Sequence, residues 1–207
     1  MNTLNALLEI ISEQQKKHNC FVVAICGAAD LGKTYTANAL TKNLNQLGIK
    51  SHYITLDSYL MSRAARIEKG ISGYQVEAYD FIQIENDLAK LLNNESINLS
   101  SYDHHLGQSS AIKRVIKPCD VLFIDGLHAM HKRLTPFIDF SVFIHTTDEQ
   151  LKNIRLCADR EKRNQSVEVS LKNSAVEFEK YKRLVAPYKK AVNCTLFLKS
   201  KWKYVLA

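Results

Sequence analysis

The chain has 207 residues, 46% of them apolar and 24% charged, a balance that suits one globular domain with its own hydrophobic core. Seven Gly and three Pro exclude collagen-like and low-complexity chains, and no apolar run approaches the ~20 residues of a membrane-spanning helix. The formal net charge of +7 sits in the C-terminal third: Asp148–Ala207 holds 14 Lys/Arg against 7 Asp/Glu, whereas Met1–Thr147 holds 14 of each. Solvated helix surfaces explain that excess most simply, with a phosphate-facing or nucleic-acid-facing surface as the alternative. Glu9, Glu13, Lys16 and Lys17 interrupt the first twenty residues, unlike a signal peptide, so a soluble cytoplasmic protein is expected. Its five cysteines include no CxxC pair, and the apolar neighbours of Cys26, Cys119 and Cys194 predict buried, reduced thiols.

Leu4, Leu7, Leu8 and Ile11 follow helical spacing and predict an N-terminal amphipathic helix within residues 1–18. Phe21–Gly27 (FVVAICG) reads as a central parallel strand buried on both faces. A helix follows from Lys33 to Leu47, with Ala37, Leu40, Leu44 and Leu47 on one face and Gly48 closing it. His52–Leu56 reads as a second strand, Asp80–Asn94 as a helix, and Asp120–Gly126 and Phe140–His145 as two further buried strands. Thr147–Arg163 and Val176–Ala191 read as helices and Thr195–Lys199 as a last strand. Strands alternating with helices predict an α/β fold on a largely parallel sheet with helices on both faces, in a single domain.

The stretch Gly27-Ala28-Ala29-Asp30-Leu31-Gly32-Lys33-Thr34 matches G-x-x-x-x-G-K-[ST] in full. It lies where the motif has physical meaning, between a buried strand and a periodic helix. Glycines let the loop curl so that successive backbone N–H groups face a phosphate, and the helix N-terminus adds about half a positive charge. Lys33 is placed to reach the β/γ-phosphates and the Thr34 hydroxyl to ligate Mg²⁺, with Tyr35 following at the edge of the nucleotide site. A P-loop fold that binds ATP and Mg²⁺ is therefore expected. Asp30 puts a carboxylate inside this loop; it is expected to point to solvent, because pointing inward would weaken triphosphate binding.

Asp57 follows the second strand and Asp125 ends the strand VLFID. In a parallel sheet the C-terminal strand ends open onto one edge, where ligands bind. Asp57, Asp125 and Thr34 would converge there as a Mg²⁺ and general-base set for phosphoryl transfer. Each carboxylate alone also suits a helix N-cap.

Together these segments, from about Phe21 to Leu198, resemble the uridine kinase and phosphoribulokinase family of P-loop kinases. Asp57-Ser58-Tyr59-Leu60 is similar to the family's D-S-F-Y, Val76–Asp80 loosely to P-D-A-F-D, and Ser100–Asp103 to P-x-Y-D. Ile124–His128 is similar to the E-G-L-H of phosphoribulokinases, one methylene shorter at Asp125, and Pro187–Lys190 to a P-x-K-K stretch. The resemblance implies that Asp57 accepts the proton of the substrate hydroxyl and that Tyr102 contacts the acceptor. It implies a lid over about 147–165 whose Arg155 and Arg163 neutralise the phosphates, as bidentate guanidiniums do; plain surface charge is the competing reading for both. Departures fall on the nucleoside side: Tyr74 replaces an aspartate for the ribose hydroxyls, and Gly107 a histidine, although His104 and His105 are near. Ala158 and Gln165 stand where the family has arginines.

The sequence thus points to an ATP-dependent kinase acting on a small-molecule hydroxyl, with uridine or cytidine the first candidate. A sugar phosphate, pantothenate-like or glycerate-like acceptor is the alternative. The rivals are a nucleotide-binding regulatory protein without turnover and, with less support, a nucleic-acid-associated protein. Tyr181, Tyr188, Trp202 and Tyr204 are expected to pack from a helix onto the sheet rather than to stack on bases. His104, His105, His128 and His131 are expected in loops or at the surface, since no Cys or carboxylate completes a zinc spacing. A homo-oligomer stays open.

Overall fold

The computed structural model describes residues 3–163 and 166–206. Helix α1 (Thr3–Gln14) buries Leu7 and Ile11 and leads to β1 (Phe21–Gly27), all seven of whose residues are buried. Helix α2 (Lys33–Gln46) buries Ala37, Leu40 and Leu44, and β2 (Ser51–Thr55) follows. Next come α3 (Arg63–Glu68) and α4 (Phe81–Leu92), whose first turn is capped by Asp80 Oδ1 accepting from Gln83 N at 3.0 Å. Strands β3 (Ile97–Asp103) and β4 (Gln108–Ile116) form an antiparallel hairpin. Then β5 (Val121–Asp125) and β6 (Phe140–His145) lead to α5 (Asp148–Arg163) and α6 (Val167–Leu184). Strands β7 (Cys194–Ser200) and β8 (Lys203–Leu206) end the chain.

The main sheet has the order β2-β5-β1-β6-β7-β8, parallel from β2 to β7, with β8 antiparallel at one edge. Strand β1 lies near its centre and β5 is buried throughout, so both sheet faces are covered, as a parallel sheet requires. The core joins these strands to Leu40 and Leu44 of α2 and to Ile84, Leu88 and Leu91 of α4. Register fixes the functional edge: Ile25 of β1 and Thr55 of β2 both stand opposite Asp125 of β5. No helix among the described residues is long and apolar enough to cross a membrane.

Strands β1 and β6 occupy the residues expected of them, and the other expected helices and strands appear with shifted ends. Helix α6 begins at Val167, well ahead of the expected Val176, because Ser166 caps it by accepting from Val169 N at 3.3 Å. The β-branched, exposed Val167 and Val169 hide that start from a periodicity reading. The β3–β4 hairpin, α3 and β8 were not expected. The hairpin alternates buried and exposed residues on one strand only, and β8 follows a turn at Trp202, with φ +61, where no turn residue announces it. Cys26 and Cys119 are buried as expected, whereas Cys194 is partly exposed.

Candidate active site

Strand β1 ends at Gly27, where an added Cβ would lie 2.2 Å from the Ile144 carbonyl oxygen of β6. Only glycine lets the loop leave the sheet this closely. Ala28 and Leu31 are fully buried and anchor the loop, while Asp30 takes φ +64, a conformation that Asp tolerates better than most residues. Gly32, with φ +83, is the N-cap of α2 and has no side chain to cap it, so the first-turn N–H groups remain available to an anion. The Lys33 ammonium donates to the Ala28 carbonyl at 2.8 Å, folded back over the loop.

Behind the loop, Thr34 Oγ1 donates to Asp125 Oδ1 at 2.8 Å, and Thr55 Oγ1 lies 3.4 Å from the same oxygen. Asp125 Oδ2 is buried with no hydrogen-bond partner among the described residues. Burial, reinforced by the nearby Asp57 charge and opposed by Thr34 and Lys33, pushes the Asp125 carboxyl up to about 7. A buried carboxylate oxygen without a partner beside a threonine hydroxyl is a hard-oxygen donor set suited to Mg²⁺.

Asp57 sits in the turn after β2, its N–H 3.4 Å from Thr55 Oγ1, and its carboxylate pairs with His104 Nε2 at 3.1 Å. Burial alone would raise its pKa, but the His104 hydrogen bond and the charges of His104 and Lys33 hold it below the ordinary carboxylate value. His104 comes from the turn of the β3–β4 hairpin. The sequence noted it beside Tyr102 but gave it no part in the site. Its ring lies 5.2 Å from the Tyr102 ring, and the Tyr102 hydroxyl accepts from Arg66 Nη2 at 3.0 Å.

Arg155 and Arg163 of α5 are drawn in rather than spread on the surface. Arg155 pairs with Glu177 at 2.5 Å, Asp159 at 3.1 Å and Asp30 at 3.5 Å. Arg163 pairs with Asp30 at 3.0 Å and Asp159 at 3.1 Å. Asp30 is therefore a correction: its side chain is only 6% exposed and points under α5 instead of into solvent. Two guanidiniums beside it neutralise a carboxylate that would otherwise repel bound phosphates. Ala158 is buried on α5, and Gln165 lies outside the described residues.

One cavity of about 560 Å³ joins these groups, lined among others by Asp30, Lys33, Asp57, Arg66, Tyr102 and Trp202. Trp202 and Tyr204 need a second correction: they belong to the β7–β8 hairpin, not to a helix. Trp202 stacks on Tyr35 with ring centroids 4.8 Å apart, and Tyr204 Oη donates to the Leu31 carbonyl at 3.0 Å. A Cβ on Gly32 would come within 2.3 Å of both side chains, so this hairpin packs directly against the P-loop. His128 lies in the turn after β5, as a loop histidine, yet not at the surface. It is fully buried, with Nε2 2.9 Å from the Tyr74 carbonyl and Nδ1 3.1 Å from Tyr188 Oη, a core tie and not a surface histidine. The sequence signal for it was available, since His128 directly follows the buried run through Leu127.

A glycine-rich loop between a central strand and a helix, with acidic side chains on the adjacent strand ends, defines a P-loop α/β protein. The profile of the Phosphoribulokinase / Uridine kinase family matches residues 22–197, and the chain belongs to that family. It is similar to uridine-cytidine kinase C of Dictyostelium discoideum, 31% identical over 132 residues that make up 63% of this chain and 28% of that protein. It is also similar to the chloroplastic phosphoribulokinase of Mesembryanthemum crystallinum, 29% identical over 133 residues, 62% of this chain and 33% of that protein. The chain thus spans about a third or less of these two relatives. The fold matches that of a D-glycerate 3-kinase from Cryptococcus neoformans with a TM-score of 0.71 at 12% identity, over 100% of each chain.

Proposed function

We propose that the protein transfers the γ-phosphoryl group of ATP to a hydroxyl of a small molecule, residues 1–207 acting as one kinase domain with a lid over about 147–165. The observation that carries this reading is one cavity lined by Lys33, Thr34 and Asp125 at the P-loop and by Asp57 at the acceptor side. The P-loop N–H groups and Lys33 hold the phosphates, and Arg155 and Arg163 neutralise charge from the lid. Asp57 accepts the proton of the acceptor hydroxyl as its oxygen bonds to the γ-phosphorus and the bond to the ADP oxygen breaks. Thr34, Asp125 and Asp57 are the residues that would hold Mg²⁺, whose chemistry there is to offset the charge of the transferring group.

Within this reading a uridine or cytidine acceptor has less support than the P-loop half has. Tyr74, at the place of the family's ribose-binding aspartate, is buried and offers no carboxylate to a diol. A site built for a hydroxyl loses much of its discrimination when such a partner is missing. A second reading, a nucleotide binder without turnover, is favoured by the Asp30 contacts that hold both lid arginines.

ADP release from Mg·ATP, measured against a panel of hydroxyl acceptors that includes uridine and cytidine, separates the two. Acceptor-dependent release that disappears in Asp57→Asn supports the kinase. Nucleotide binding with no release for any acceptor would move the assignment to the binder.

A further inference from the structure

Arg63 and Arg66 of α3 line the acceptor half of the cavity together with Asp57, Tyr102 and His104. Both are half-buried, and all their hydrogen-bond partners among the described residues are neutral. Arg63 donates to the carbonyls of His104 and, at 3.3 Å, of His105. Arg66 donates through Nε to the Met61 carbonyl at 3.1 Å and through Nη2 to Tyr102 Oη at 3.0 Å. Neither forms an ion pair among the described residues, whereas Arg155 and Arg163 of the lid share Asp30, Asp159 and Glu177. The cavity lining divides accordingly. Asp30 and Glu177 are engaged by the lid and Asp125 by Thr34, which leaves Asp57, itself paired with His104, as the carboxylate on the acceptor side.

Guanidinium groups removed from water keep a strong preference for a carboxylate or phosphate in fork geometry. Arg66 is also well placed for a small ligand. Tyr102 touches Arg66 through its hydroxyl and His104 through its ring, and His104 touches Asp57, so one aromatic pair links the proton acceptor to the cation. Ile67 and Ile71 contribute apolar lining beside it.

We infer that the acceptor carries an anionic group, a carboxylate or a phosphate ester, besides its reacting hydroxyl, and that Arg66, with Arg63 behind it, binds that anion while the hydroxyl faces Asp57. This rests on the phosphotransferase reading above and narrows its substrate class. Arg63 chiefly fixes the hairpin turn through its two carbonyl contacts, so Arg66 is the residue to perturb.

The test compares acceptors in pairs that differ only by the charged group: D-glycerate with glycerol, ribulose 5-phosphate with ribulose, and pantothenate with pantothenyl alcohol, alongside uridine and cytidine. At least one anionic member should exceed its neutral partner 100-fold or more in kcat/KM, and the pair concerned tells carboxylate from phosphate ester. Arg66→Gln should then raise the acceptor KM at least tenfold with the ATP KM within twofold of wild type, and Arg66→Lys should recover part of the loss. Wild-type turnover of a neutral acceptor without an anionic advantage overturns the inference and leaves the kinase reading standing. Calorimetric titration with the same three anions covers the case of no turnover. Binding that Arg66→Gln abolishes keeps the anion site and removes the kinase reading, whereas no binding of any of them overturns the anion site.

Discussion

Replacing Asp30 by Asn tests how this P-loop tolerates a carboxylate. Asn accepts φ +64 as readily as Asp does, so the loop keeps its shape and loses one negative charge. In the structure that charge lies 3.0 Å from Arg163 and 3.5 Å from Arg155. Bound phosphates would compete for the same guanidiniums and would repel the carboxylate. Two unit charges about 5 Å apart at an effective dielectric near 20 interact by about 3 kcal/mol. Both arginines retain Asp159, and Arg155 retains Glu177, so part of the competition survives the substitution. The net expectation is a gain of about 1–2 kcal/mol in Mg·ATP binding, a roughly 5- to 30-fold lower Kd. The ligand-free protein should meanwhile become less stable, because α5 loses two contacts to the loop. Trp202 is the single tryptophan and stands at the cavity against Tyr35, so its emission reports the titration directly. An unchanged or weaker affinity in well-folded Asp30→Asn would refute the competition between Asp30 and the phosphates.

Gly32→Ala should combine a left-handed backbone strain with a clash against Tyr204 and Trp202, costing about 2–4 kcal/mol. Calorimetry should show a Tm lower by roughly 6–12 °C, the scale for a chain of this size; an unchanged Tm would contradict the packing of the β7–β8 hairpin on the loop. Lys33→Met removes charge-assisted hydrogen bonds to phosphate worth about 1.5–3 kcal/mol and should weaken Mg·ATP binding by at least tenfold in the same fluorescence titration. His128, held neutral by burial, has its pKa lowered from the ordinary 6.5 to about 4. Its contribution to stability is therefore complete above pH 6.5 and is lost as the pH falls through about 4. The Asp125 carboxyl, pushed up to about 7, acts in the opposite sense over the same range, so the His128 part is read by difference: between pH 7.5 and 4.5 wild type should lose about 2–3 kcal/mol more in urea unfolding than His128→Gln does.

The P-loop and its strand were legible because the motif and the hydrophobic run meet at Gly27, and a parallel sheet leaves one edge for Asp57 and Asp125. Register then did the rest, placing Thr55 and Ile25 opposite Asp125. What escaped the sequence depends on contacts far apart in the chain. Nothing local to Asp30 announces that Arg155 and Arg163 lie over it. Trp202 is separated from Tyr35 by most of the chain, and its turn lacks a glycine at φ +61. His104 joins Asp57 only because the β3–β4 hairpin, too polar and irregular to be read as strands, folds back over the end of β2.

In the proposed reaction, phosphate holding and proton removal belong to different residues of one cavity. Single-turnover phosphoryl transfer at saturating Mg·ATP, by wild type and Asp57→Asn with the acceptor that supports release, tests it most directly. Loss of a general base should slow transfer by about 10²–10⁴-fold, with the nucleotide Kd from Trp202 emission within threefold of wild type. Equal transfer rates would contradict the assignment of Asp57, and a parallel collapse of nucleotide binding would contradict the separation of roles.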